Sequence, residues 1–229
     1  STPIKSSAAS DVYKRQQKEV YPNFLKTEGK EIKNTNGNTV YLRGVNAGGY
    51  MLQEIWLCAT KGATSDDTSG NIRCQQDIIN QLTDRLGSER AAELINTYEE
   101  NYWTSKDFEN CARLGVNCIR LPIWYRNLVD ENGNWYSNAF DRLDWFIETA
   151  GRYGIYVIID MHGAYGSQNG SHNSGIYGGS TNQQKRDNSK LFFGTDAATN
   201  QAKFYEMWYK IADLSLIHIS EPTRPISIS

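Results

Sequence analysis

Asp160, His162, Gln168, Asn169, His172 and Asn173 crowd one short stretch of the chain, with Gly163, Gly166, Gly170 and Gly175 running through it and just past it. A carboxylate and an imidazole can hold charge or pass a proton. Side-chain amides offer paired donors and acceptors, the complement of a sugar's hydroxyl groups. No Gly-rich turn here runs into a Lys-Ser or Lys-Thr helix start, so a phosphate cradle is not indicated. Two further places carry the same mark. Arg120 sits near the polar end of the apolar run 116–123, and Asn46, Tyr50 and Glu54 follow the run 40–45.

The elements that must position these residues follow from periodicity. Ile155–Ile159 is five apolar residues in succession, the run of a strand buried on both faces of a parallel sheet. Val40–Asn46 and Val116–Ile123 read as two earlier core strands, the second with Pro122 near its end, where a ladder donor can be spared. Ile32–Leu42 reads as a hairpin with Asn36 and Gly37 at its tip. Helical spacing appears over 77–86, from Ser88 as N-cap, over 105–114 up to Gly115, over 134–153, and over 199–213. Residues 60–70 form a polar loop. Strands alternating with helices of this length make parallel β/α units, in an eight-fold barrel or an open doubly wound sheet. In either, ligands bind at the C-terminal ends of the strands, where Asn46, Arg120, Asp160 and His162 lie.

Composition bounds the rest. The chain has 229 residues, room for one domain with a real core. A net charge of −2 leaves no electrostatic footprint for nucleic acid. No apolar run reaches the roughly 20 residues that span a bilayer. Six Trp and fourteen Tyr suit stacking on sugar faces, although most such rings fill cores. Cys111 and Cys118 read as small core residues, and Cys58 and Cys74 could pair in a secreted protein. His162, His172 and a carboxylate match no standard zinc spacing, so neither metal nor cofactor is expected.

Both ends carry a different signal. Asp11–Gln16 can be encoded by GAT GTG TAT AAG AGA CAG, whose reverse complement encodes Leu-Ser-Leu-Ile-His-Ile, the residues at 214–219. Two unrelated protein segments should not be reverse complements. Residues 1–16 and 214–229 are therefore expected to be adaptor-derived, leaving 17–213 as natural sequence cut at both ends, with no chemistry assigned to His218.

Residues 43–54, 117–123 and 160–170, in order at the ends of three successive strands, resemble glycoside hydrolase family five, in particular its exo-1,3-β-glucanase and cellulase-like branch. The likeness covers nearly all of 17–213. It implies an α/β fold that is part of a (β/α)8 TIM barrel, about the first three β/α units plus an N-terminal hairpin. It also implies retaining hydrolysis by two carboxyl groups roughly 5–5.5 Å apart. In the family the acid/base Glu follows an Asn at the end of the fourth strand and the nucleophile Glu ends the seventh. Both would lie beyond residue 213, so the chain itself is expected to be inactive.

By the same resemblance Arg120 would orient the nucleophile through a charged hydrogen bond, and His162 would line the subsite of the sugar being cleaved. Glu54 would bind that sugar's hydroxyls, with Asn46, Tyr50, Gln168 and Asn169 around it. Where the branch commonly has Asp, this chain has His172. Glu54 and Asp160 come from different strand loops and are not read as a catalytic pair; Asp160 is expected to orient neighbouring backbone. The implied partner is a β-glucan or oligosaccharide, met by a secreted monomer. A non-catalytic carbohydrate-binding module is the alternative, and a barrel enzyme of another class is a third reading.

Overall fold

The structure is a computed structural model and describes residues 24–58 and 72–220. Of the expected adaptor-derived segments 1–16 and 214–229, the whole of the first and residues 221–229 of the second lie outside the described residues, as does the polar loop 60–70. In chain order the elements are β1 (Leu25–Glu28), β2 (Glu31–Asn34), β3 (Gly44–Asn46), α1 (Gln75–Leu86), α2 (Ser88–Tyr102), α3 (Ser105–Arg113), β4 (Cys118–Trp124), α4 (Asp141–Arg152), β5 (Tyr156–Gly163), α5 (Asn182–Asp187) and α6 (Ala197–Ser220). The class is α/β, with three strands in the order β3-β4-β5. The Asn117 N–H reaches the Arg43 carbonyl and the Ala47 N–H reaches the Arg120 carbonyl, so the partners of β3 and β4 rise together and the strands are parallel.

Two compact units share these elements. One comprises the described part of Ser1–Val45 with Ser105–Ile119 and Asp141–Ile158; the other comprises the described parts of Asn46–Thr104 and Ile159–Ser229 with Arg120–Phe140.

In the first unit, β1 and β2 pair antiparallel with Glu28 opposite Glu31. The hairpin expected over 32–42 follows at once. Asn34 Oδ1 accepts the N–H groups of Asn36 and Asn38 at 3.1 and 3.0 Å, and the Val40 N–H returns to the Ile32 carbonyl at 2.7 Å. The β1–β2 pair is an addition that the residue pattern did not reveal. Phe108 of α3 meets Phe146 of α4 edge to face at 4.8 Å, over a core that includes Leu143 and Ala150. This arrangement suits ring quadrupoles and buries two large side chains. Asn117 then ties the strand starts together. Its Nδ2 donates to the Tyr41 carbonyl (2.9 Å), its Oδ1 accepts the Arg43 N–H (2.7 Å), and its own carbonyl accepts the Tyr156 N–H (2.9 Å).

β4 is the central strand and is buried at every position except Arg120. β5 departs from the sequence reading. Ile155 is buried, but Tyr156–Ile159 are not, and Ile158 is 49% exposed. As the outer strand of the three, β5 has a bare flank, so an apolar run meant for two covered faces stays half open.

The helix expected over 134–153 begins only at Asp141, in the first unit. Asp130 takes the earlier residues for a turn. Its Oδ1 accepts the N–H groups of Asn132 and Asn134 at 2.8 and 2.9 Å, and its Oδ2 accepts Asn134 Nδ2 at 3.0 Å. Tyr136 then pairs back on the Leu128 carbonyl at 3.1 Å. An Asp side chain bonding backbone N–H groups a few residues on competes directly with helix. Ser88 is the first residue of α2 and not its cap; Gly87 holds the N-cap position and no side chain caps the helix. The pairing left open for Cys58 and Cys74 is not made, and both thiols are free. The helix expected to end at 213 runs unbroken from Ala197 to Ser220.

Candidate functional site

Four charged side chains converge where the strands of the second unit end. Arg120 Nη2 donates to Asp160 Oδ2. His162 Nδ1 lies 2.9 Å from the same Asp160 oxygen and 3.1 Å from Arg120 Nη2. His162 Nε2 faces Glu54 Oε1 at 3.8 Å, an ion-pair separation longer than a good hydrogen bond. Arg120 Nη1 reaches Asn46 Oδ1 at 3.4 Å. The side chains are part-buried, at 36% exposure for Arg120, 30% for Asp160, 24% for His162 and 15% for Glu54. Charges at this depth interact more strongly than on an open surface, yet stay reachable from solvent.

The electrostatics follow from this geometry. Burial alone would raise the Glu54 carboxyl. The pairing with His162 and its charge, with smaller help from the Trp56 side chain and His172, outweighs burial and holds it below its ordinary value. His162 moves the other way. The Glu54 partner raises it, burial opposes, and Asp160 adds to the rise. The cluster therefore favours an imidazolium between two carboxylates, with a guanidinium beside them. Among the described residues no group of three or more His, Cys, Asp or Glu is arranged to hold a metal ion. The groups that face Asp160 are the Arg120 guanidinium and the His162 ring.

The segment carrying Asn46 and Glu54 is held from behind by α2. Tyr98 donates its hydroxyl to the Gly49 carbonyl at 2.5 Å, and Tyr102 donates to the Gly48 carbonyl at 3.0 Å. Their rings stack at 4.9 Å. Cys58 Sγ lies 3.6 Å from the Tyr98 hydroxyl, and burial pushes its thiol up, which keeps it protonated. The Gln53 N–H is taken by the buried Gln75 at 2.9 Å.

The glycine-rich loop does something else. Gln168 donates Nε2 to the His162 carbonyl at 2.6 Å and accepts the Ala164 N–H at 3.0 Å. Asn169 donates to Asn173 Oδ1 at 3.0 Å and accepts the Ser171 N–H at 2.9 Å. The Ser167 and Ser174 hydroxyls meet at 2.6 Å in the interior. Two glycines let this loop close on Trp124. A Cβ at Gly163 would lie 2.3 Å from Trp124 Cδ1, and one at Gly175 would lie 2.6 Å from its Cε2. Neither position has room for a side chain.

Of the residues singled out by the sequence, Arg120, His162, Glu54 and Asn46 come together. Tyr50 is fully buried. Gln168 and Asn169 stand beside the cluster, with their amides engaged inside the loop. Asp160, expected to orient backbone, instead binds the Arg120 and His162 side chains. Trp56 was passed over. Its indole side chain bonds Glu54, and the residue is 46% exposed; the available signal was an aromatic residue two positions beyond a carboxylate in the segment after a core strand.

Residues 85–214, more than half of the chain, match the family model described as cellulase, glycosyl hydrolase family 5. A beta-xylosidase of Phanerodontia chrysosporium is 30% identical over 185 residues, covering 80% of this chain and 32% of that protein. A probable glucan 1,3-beta-glucosidase A of Aspergillus niger is 33% identical over 138 residues, 60% of this chain and 32% of its own length. A glucan 1,3-beta-glucosidase of Candida oleophila is 29% identical over 187 residues, covering 81% and 43%. The chain thus spans a third to two fifths of the curated relatives it matches. Among solved structures, AoRut superposes with a TM-score of 0.52 at 21% identity, over 72% of this chain and 42% of that one, a likeness of fold.

Proposed function

The chain belongs to the cellulase family, glycosyl hydrolase family 5, and from that premise we propose that it is the N-terminal part of a retaining β-glucan hydrolase. The family implies a TIM-barrel fold, and in our reading residues 17–213 supply about its first three β/α units with the hairpin before them. One observation carries the functional reading. Arg120, Asp160, His162, Glu54 and Asn46 converge at the C-terminal ends of parallel strands, the end that serves as active site in such barrels. An exposed guanidinium edge and a part-buried imidazolium suit the orientation of a further carboxylate and of sugar hydroxyls.

The reaction needs two carboxyl groups roughly 5–5.5 Å apart, one as acid and one as nucleophile. Glu54 and Asp160 are poor candidates. Both are committed to His162, and Asp160 also neutralises Arg120. The catalytic pair therefore belongs to strands not represented in 17–213, and the 229-residue chain does not turn over substrate by itself. Residues 1–16 and 214–229 are, in this reading, adaptor-derived additions. The substrate is a β-linked glucan or its oligosaccharides. A polymer of that kind cannot enter a cell intact, so in this reading the enzyme works outside it, as a monomer.

The test uses the complete protein and this chain side by side. The complete protein should hydrolyse aryl β-glucosides and 1,3-β-linked oligosaccharides, with the β-anomer appearing first by proton NMR. Inversion, or no turnover of any β-glucoside, would sink the proposal. The 229-residue chain should give no turnover. Saturable glucan binding by it, with an inactive complete protein, would favour a binding module.

A further inference from the structure

We propose that Asp160 is the positioning residue of this site. One oxygen, Oδ2, holds both the Arg120 guanidinium and the His162 ring, and thereby sets the aim of the first and the proton occupancy of the second.

Three atoms form a triangle: Arg120 Nη2, Asp160 Oδ2 and His162 Nδ1, the last at 3.1 and 2.9 Å from the other two. Arg120 can only donate and an ionised Asp160 can only accept, so the state of Nδ1 decides which contact is a bond. With the proton on Nε2 alone, Nδ1 accepts from Arg120 and its lone pair faces the carboxylate. With the proton on Nδ1 alone, Asp160 is satisfied but the Nε2 lone pair faces Glu54. Only the doubly protonated ring gives each carboxylate a donor, Nδ1–H to Asp160 and Nε2–H toward Glu54. Arg120 then keeps its bond to Asp160, with Nη1 directed at Asn46.

The groups facing His162 are thus Asp160 from β5, Arg120 from β4 and Glu54 from the segment after β3, and His172 acts on Glu54 in turn. Arg120 opposes the ring's charge and the two carboxylates favour it. The raised proton affinity of His162 agrees with the carboxylates prevailing. Removing the Asp160 charge should therefore release the proton and leave Arg120 with Asn46 and the ring nitrogen. The importance of this to sugar cleavage rests on the glycosidase reading above, but the test does not use hydrolysis, so the two can fail separately.

The experiment is a nitrogen-detected titration of the imidazoles in the full 229-residue chain, which has three histidines. Asp160→Asn keeps size and an acceptor oxygen while removing the charge. The expected result is a His162 midpoint lower by about one pH unit, tenfold in proton affinity. An unmoved His162 midpoint in a folded Asp160→Asn chain overturns the proposal. If that variant does not fold, the unsubstituted chain decides. Below its titration, His162 should show a solvent-protected Nδ1–H resonance, held by its contact with Asp160 Oδ2. A rapidly exchanging Nδ1–H overturns the proposal.

Discussion

The strand-end cluster and the loop 163–175 are neighbours with opposite uses of polar groups. In the cluster, four charged side chains meet one another while staying 15–36% exposed, so each keeps a face toward solvent. In the loop, the Gln168 and Asn169 amides and the Ser167 and Ser174 hydroxyls are turned onto the loop's own backbone and side chains. A polar residue type advertises hydrogen bonding and not the partner. The loop serves the cluster mechanically: Gln168 holds the carbonyl of His162 itself.

This contrast predicts that loop variants cost stability and cluster variants change titration. The largest effect is expected for Gly163→Val. Its side chain would begin 2.3 Å from Trp124 and 2.8 Å from the Ser174 carbonyl, and such overpacking costs about 3 kcal/mol, read as a lower urea midpoint with unchanged slope. Gln168→Ala comes next, at about 2 kcal/mol, since it strips a buried backbone N–H of its acceptor and a carbonyl of its donor. A Gln168→Ala chain as stable as its parent would mean that the amide is free for a ligand, and the contrast would collapse.

The cluster is tested by pH. His162 is raised in the folded chain, so its contribution is fully present below the ordinary 6.5 and is lost as pH climbs through the raised value. Glu54 is lowered, so its contribution is present above the ordinary 4.5 and is lost as pH falls through the lowered value. Thermal midpoints should therefore peak between about 4.5 and 6.5, and His162→Gln should abolish the alkaline decline. An identical alkaline decline in that variant would place its origin elsewhere. The smallest effect belongs to Lys106→Ala. It removes an exposed pair with Glu109 at 2.8 Å and should shift stability by no more than about 0.5 kcal/mol.

The sequence made the strand-end residues legible because an Arg or His at the polar limit of an apolar run has few uses other than a site. Arg120, His162 and Asn46 were found that way, Glu54 through the family resemblance, and the four meet. Tyr50 is buried, and a phenol suits a core as well as a subsite, which residue type alone does not distinguish. Asp160 was misjudged because a strand-end carboxylate reads alike whether it faces backbone or two cations. The start of α4 was missed because an amphipathic pattern runs through Asn134, while Asp130, four residues upstream, captures that residue for a turn. The bare flank of β5 depends on strand order, which periodicity does not report.

Trp124, closed in by Gly163 and Gly175, has a consequence for how such chains can drift apart. Neither glycine can gain a methyl group while the indole remains, and shrinking the indole frees neither: a Cβ at 163 would still lie 2.8 Å from the Ser174 carbonyl, and Gly175 has a φ of +85°. The constraint therefore runs one way. Across many relatives, glycine at 163 and 175 should persist even where the tryptophan at 124 is lost.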